Sequence, residues 1–204
     1  MDFNKDALDA LIKEFSSLDV IELSDIPNID LYMDQITTFF DDKLGPWKLD
    51  EKDKVLTKTM VNNYTKADVL FPPIKKKYSK EHIILLVLIY HLKQVLSINE
   101  IHTVLFPIIQ KNMSKTSEGN HKLHSLYEEF IKIQKEEMGA FEESFSKKIN
   151  ALFDKIDGED KDSYSELFMI LMNLIVSSSI QKHFAQKLIR QFPDIFAQKK
   201  MPNK

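Results

Sequence analysis

The chain has 204 residues, 43% of them hydrophobic and 29% charged, with four glycines and no cysteine. That length buries a core without covalent staples, and the missing cysteine excludes disulfides, thiolate zinc sites and thiol nucleophiles. The net charge of −3 is unevenly spread: residues 1–47 carry −8 (three Lys, eleven acids), residues 48–93 carry +5 (ten Lys, five acids), and residues 94–204 carry zero (fifteen of each sign).

The N-terminal stretch MDFNKDALDALIKEF mixes charged and apolar residues at helical spacing. It has no basic n-region or continuous apolar h-region, so it is not read as a signal peptide. Residues 4–18 are predicted as an amphipathic helix with Leu8, Leu11, Ile12 and Phe15 on one stripe. A break at Leu23–Asp30 precedes a second helix over 30–43. A charged Gly-Pro connection, Leu44–Lys54, follows. Thr57 is read as the N-cap of a third helix over 57–67, because its hydroxyl can accept a free backbone N–H. In that helix Val61 and Tyr64 share the inward face. Asp68 is a stop, and "LFPPIKKKY" is expected to be extended, since proline disfavours helix in the residue before it. Ser79 opens an almost wholly apolar, hence central, helix over 80–95.

Ser97-Ile-Asn-Glu100 has capping-box spacing and starts a fifth helix ending near Pro107. The polar tract Lys111–Asn120 is the expected internal boundary, between a part at 1–110 and a part at 121–196. A long amphipathic helix over 121–156 follows, striped by Leu123, Leu126, Phe130, Ile133, Phe141, Phe145, Ile149, Leu152 and Ile156. Ser163-Tyr-Ser-Glu166 is read as a second capping box. It opens an apolar helix, and a last helix over 179–191 folds back from it as a hairpin. The fold class expected is all-α, with eight or so helices. The longest apolar runs, Ile83–Tyr90 and Leu167–Met172, fall short of the ~20 residues that span a bilayer. A cytoplasmic protein with no membrane contact is therefore expected.

Between Thr57 and Ile101 the order of signals is a short helix with Tyr64, "DVLFPP", a basic turn, "KYSKEHI", an apolar helix and "LSINEI". These 45 residues resemble the MerR-type winged helix-turn-helix. In that family a recognition helix ends in a tyrosine-bearing turn, and a Leu-Leu-Pro-Pro segment leads to a basic wing. A helix then enters through Tyr-Ser and ends before a Ser-Leu-x-x-Ile motif. The string "TKTMVNNYTK…PPIKKKYSKEHI" also resembles an uncharacterised bacterial domain-of-unknown-function family over the first 150 or so residues. The resemblance implies a winged helix-turn-helix-like N-terminal part with a short wing near residues 70–78, plus a C-terminal helical bundle. The chain departs from the MerR pattern in several places. Asn62, Asn63 and Tyr64 stand where an arginine and two tyrosines are usual, Asp68 replaces a glycine, and Lys75, Lys76 and Lys77 replace wing arginines.

The basic segment points to an anionic partner more sharply than a uniformly basic surface would. The DNA-facing residues expected are Thr57, Lys58, Thr59, Asn62, Asn63, Lys66, Lys75, Lys76, Lys77 and Ser79. The lysines contact phosphates, and the amides are placed to pair with adenine edges. Ser79 opens a helix whose free N–H groups attract another phosphate. The partner expected is double-stranded DNA, and the function a MerR-like transcriptional regulator. A homodimer through the 121–156 helix is expected, since a helix about 54 Å long can outrun a small domain and leave its apolar stripe uncovered. The resemblance supports it. Otherwise the 163–191 hairpin folds back and covers the stripe within one chain. The alternative is a helical protein–protein interaction module without DNA binding, in which the lysines only solvate a turn. No GxSxG, Walker loop, GxGxxG or HExxH occurs, so no enzyme activity and no cofactor is expected. Glu118, His121, His124 and Glu128 have partial metal-ligand spacing but lack a second Glu-x-x-His, so no metal is assigned. An unknown small-molecule effector could sit among Phe168, Met169 and Met172, residue types more common in plain core.

Overall fold

A computed structural model describes residues 3–113, 117–153 and 162–197. The elements run α1 (Lys5–Ser16), β1 (Leu31–Tyr32), α2 (Met33–Leu44), a 3-10 turn (Gly45–Trp47), α3 (Lys58–Lys66), β2 (Lys77–Tyr78), α4 (Lys80–Lys93), α5 (Ile98–Met113), α6 (Ser117–Phe153), α7 (Ser163–Gln191) and α8 (Pro193–Phe196). The all-α class is therefore correct. Among the described residues the only sheet is the antiparallel pair of β1 and β2, with Leu31 opposite Tyr78 and Tyr32 opposite Lys77.

The chain divides into two compact units, one of Met1–Asp19 with Lys132–His183, the other of Val20–Ile131 with Phe184–Lys204. In the second unit α4 is central. Ile83 to Val87 and Ile89 are all buried, as a helix apolar on every side requires. Around it, steps of three and four turn one stripe of each neighbour inward: Ile36, Phe40 and Leu44 of α2, Val61 and Tyr64 of α3, Ile101, Leu105 and Ile109 of α5, and Leu123, Tyr127 and Ile131 of α6. Each fully buried aliphatic side chain contributes about 1.5–3 kcal/mol. The Tyr127 hydroxyl donates to the Ile21 carbonyl at 2.6 Å, tying α6 to the segment before α2. In the first unit Ile12 of α1, Phe145 and Ile149 of α6 and Ile170 of α7 form a smaller core, with Leu8, Phe141 and Leu174 packed against it. Phe141 stacks on Phe145 with ring centroids 4.8 Å apart and meets Phe15 edge-on at 5.5 Å.

Several boundaries differ from expectation for identifiable reasons. Leu31 and Tyr32 extend and pair with β2, and α2 begins only at Met33, where the Tyr32 N–H donates to Gln35 Oε1. Pro107 does not end α5, which runs on to Met113. A proline ring removes one helical hydrogen bond, and the buried Ile101, Leu105 and Ile109 hold the helix on both sides of the gap. The expected hairpin after Ser163 is a single helix, α7, continuous through Ser177–Ser179. Three serines lower helix propensity but neither glycine nor proline interrupts them. The cap of α7 is Asp162, one residue before the predicted serine: its carboxylate accepts the Ser165 N–H at 2.7 Å. The long-helix stripe finds cover inside the chain, part in each unit's core, while Leu126 and Ile133 stay exposed. The side chains of Lys111–Glu118 and Leu152, and all of Ile156 and the last residues, lie outside the described residues.

Candidate nucleic-acid interface

α3 begins where Thr57 predicts. Its hydroxyl accepts the Met60 N–H at 3.1 Å, so Thr57 is committed to starting the helix. Val61 and Tyr64 are buried. Lys58, Thr59, Asn62, Asn63 and Lys66 are all exposed. At 100° per residue these five fall within an arc of about 140°, a single polar face opposite the core. Among the described residues none of their side chains has a hydrogen bond or ion pair. The helix ends at Lys66, and Asp68 two residues on has a left-handed φ of 55°. The Val69 N–H then returns to the Tyr64 carbonyl at 3.1 Å.

The basic turn is a hairpin rather than an extended strand. The Ile74 N–H donates to the Lys77 carbonyl at 3.0 Å, and the Lys77 N–H donates to the Ile74 carbonyl at 2.9 Å. Between them Lys75 and Lys76 have φ of 50° and 63°. Two successive positive φ values in a two-residue loop mark a type I′ turn, which favours Asn-Gly. The left-handed region costs an ordinary residue about 1–2 kcal/mol. Both lysines are exposed, and among the described residues neither pairs with an acid.

Lys77 and Ser79 play other parts. The Lys77 ammonium lies 5.3 Å from the centroid of the Tyr32 ring, a cation–π contact across β1 and β2. Ser79 caps α4, its N–H donating to His82 Nδ1 at 3.0 Å and its hydroxyl to Glu81 Oε2 at 2.6 Å. His124 Nε2 is 3.4 Å from the other Glu81 oxygen. Burial raises the Glu81 pKa, but the Ser79 hydroxyl, the backbone N–H and His124 together hold it below its ordinary value. A carboxylate of the chain therefore already sits at the N-terminus of α4. That places a like charge beside the phosphate expected at Ser79.

His82, which the sequence left without a role, anchors the base of the turn. It is 2% exposed. Its Nδ1 accepts from Ser79, which leaves the proton on Nε2, 3.4 Å from the Pro72 carbonyl. Phe71 and Tyr78 flank the ring at 4.0 and 5.3 Å. Burial pushes its pKa down to about 4, only partly offset by the Pro72 carbonyl and by Glu81. The available signal was Ser79-x-x-His82, a histidine at the position where a capping box carries Glu or Gln.

A cleft of about 200 Å³ opens beside α3, lined by Leu56, Met60, Tyr64 and Leu86 together with Lys54 and Lys93. Phe168, Met169 and Met172, the expected effector surroundings, are instead exposed on α7. Among the described residues no three candidate ligands come together as a metal site. His121 and Glu128 are exposed, His124 faces Glu81, and the Glu118 side chain lies outside the described residues. Residues 21–130, just over half of the chain, match the family model described as Domain of unknown function (DUF1836). No curated protein and no solved structure matches the chain.

Proposed function

This chain belongs to the DUF1836 family, and we propose that it is a MerR-like DNA-binding transcriptional regulator acting in the cytoplasm. In this reading α3 lies in the major groove, and Lys75 and Lys76 rest on flanking phosphates. The observation that carries the reading is the strained turn. The two residues of this turn held at positive φ are both lysines, both exposed and, among the described residues, both without an acidic partner. A turn selected for stability would use Asn-Gly there. Backbone strain kept at an exposed site is a pointer to function. The outward face of α3 adds two amides and two further lysines, the residue types that read adenine edges and hold phosphate. Thr57, Lys77 and Ser79 position these elements through the cap, the Tyr32 contact and the start of α4.

Fluorescence anisotropy with a duplex DNA library tests this on the full chain. Lys75→Ala with Lys76→Ala should weaken binding to every sequence, and Asn62→Ala or Asn63→Ala should relax the preference among sequences. Unchanged affinity in the folded lysine variant would overturn the proposal. The reading of the chain as a protein–protein interaction module is favoured by a different feature, the exposed apolar length of α7. It requires weak, non-specific DNA binding at physiological salt that Asn62→Ala leaves alone.

A further inference from the structure

We propose that the exposed face of α7 between Tyr164 and Ile180 is a homodimer interface, covered by the same face of a second copy of this chain. Within its unit this stretch of α7 buries Ile170 and half-buries Leu174 against α1 and α6. Much of the remaining helix surface is apolar and uncovered, interrupted by Ser165, Glu166, Asn173 and Ser177 to Ser179. Nine large apolar residues from Tyr164 to Ile180 are between 38% and 75% exposed. Tyr164, Phe168, Leu171 and Ile175 form one stripe at steps of three and four, and Met172 and Val176 widen it. Tyr164 and Phe168 already stack with centroids 6.1 Å apart.

The area selects the class of occupant. With about half of a ~150 Å² side chain open at each position, the face offers on the order of 700 Å². That exceeds the roughly 300–600 Å² of the largest apolar patch on an ordinary monomer. Two such faces together bury about 1,400 Å², within the ~1,200–2,000 Å² of a stable protein interface. The chemistry selects a second copy. From Leu167 to Gln181 there is no charged residue, so a charged partner finds nothing to pair with. An apolar face related to itself by a two-fold axis is automatically complementary in character.

Lipid fits less well, although α7 is long and apolar enough to cross a membrane by length and composition. Crossing would pull Ile170 away from Ile12, Phe145 and Ile149, which pack on it. Lying in the lipid surface calls for a basic polar face, and here the opposite side carries Glu166, Ile170, Asn173, Leu174 and Ser177 with no Lys or Arg. This interface differs from the long-helix contact expected from the sequence, because much of that stripe is covered within the chain.

Light scattering of the full chain at micromolar concentration should give a dimer. Phe168→Glu with Ile175→Glu should weaken dimerisation by about 100-fold or more and leave a folded monomer by circular dichroism, since both positions are exposed. If that variant fails to fold, Leu171→Lys with Val176→Lys makes the same test on the same face. A wild-type chain that is monomeric overturns the proposal, as does a dimer that survives both folded variants or one that dissociates with Ile133→Glu on α6 alone. A monomer in water that floats with phosphatidylcholine vesicles assigns the face to lipid instead.

Discussion

Lys75 and Lys76 sit where the backbone favours asparagine and glycine, so stability and function make opposite demands on the same two residues. Lys75→Asn with Lys76→Gly should stabilise the fold by about 1 kcal/mol, the strain relieved less the entropy that glycine loses on folding. That is a rise of about 2–4 °C in Tm for a chain of this size. DNA affinity should fall in the same variant. A turn that is only structural would show the first effect without the second. His82 makes a pH prediction of definite sign. Its folded pKa is about 4, below the value of about 6.5 in the unfolded chain. The unfolded state therefore binds more protons between these values. The stability this histidine contributes is complete above about pH 6.5 and is lost as the pH falls toward about 4. His91, set among Trp47, Tyr90 and Phe130, is lowered by burial in the same direction. Urea unfolding across this range should show stability declining by up to about 1.4 kcal/mol per pH unit for each histidine. His82→Gln should remove its share of the slope, and an unaltered slope would refute the assignment.

Single-residue cues placed most helix starts correctly, and breakers were overruled where packing was strong enough. Thr57 and the Ser97–Glu100 box work as spacing predicts, with the Ser97 N–H donating to Glu100 Oε2 at 2.9 Å. Pro107 lies inside α5 because neighbouring turns bury Ile101, Leu105 and Ile109 against α4 and its surroundings. Pro107→Ala should restore the missing hydrogen bond to the Thr103 carbonyl. It should raise stability by about 1–2 kcal/mol, the gain reduced by the extra freedom of the unfolded chain. Differential denaturation of the pure proteins measures this, and a loss of stability would mean the ring itself packs in the core. Tyr32 was hidden for a similar reason. Its strand is two residues long, too short for a period, and exists only because β2 returns beside it.

For the whole molecule, an acidic protein that binds DNA must concentrate its cations, and the salt dependence of binding counts them. Among the described residues Lys75 and Lys76 have no partner, whereas Lys77 is docked on Tyr32. Removing both should therefore flatten the log–log salt slope by about 1.8 units per chain. A loss of about 2.7 units on removing all three would instead mean that Lys77 leaves Tyr32 to reach a phosphate. In a dimer that places both copies on one duplex, each change doubles.

Sequence alone determined the helical class, the inward Val61 and Tyr64 of α3, the centrality of α4 and the exposed polar face of α3, and part of the α6 stripe. Each follows from spacing within one element, which a local pattern records. It also showed the basic segment, because charge is additive along the chain. The tertiary structure alone decided what those side chains do. The left-handed lysine turn depends on Ile74 and Lys77 pairing. The role of His82 depends on Pro72 folding back onto α4, and the carboxylate held beside Ser79 depends on Glu81 and His124 meeting across 43 residues of chain. The exposed length of α7 was also invisible, since an all-apolar helix reads as core until the neighbours that would cover it are counted. Contacts between distant residues leave no period in the sequence, so these features appear only when the chain is folded.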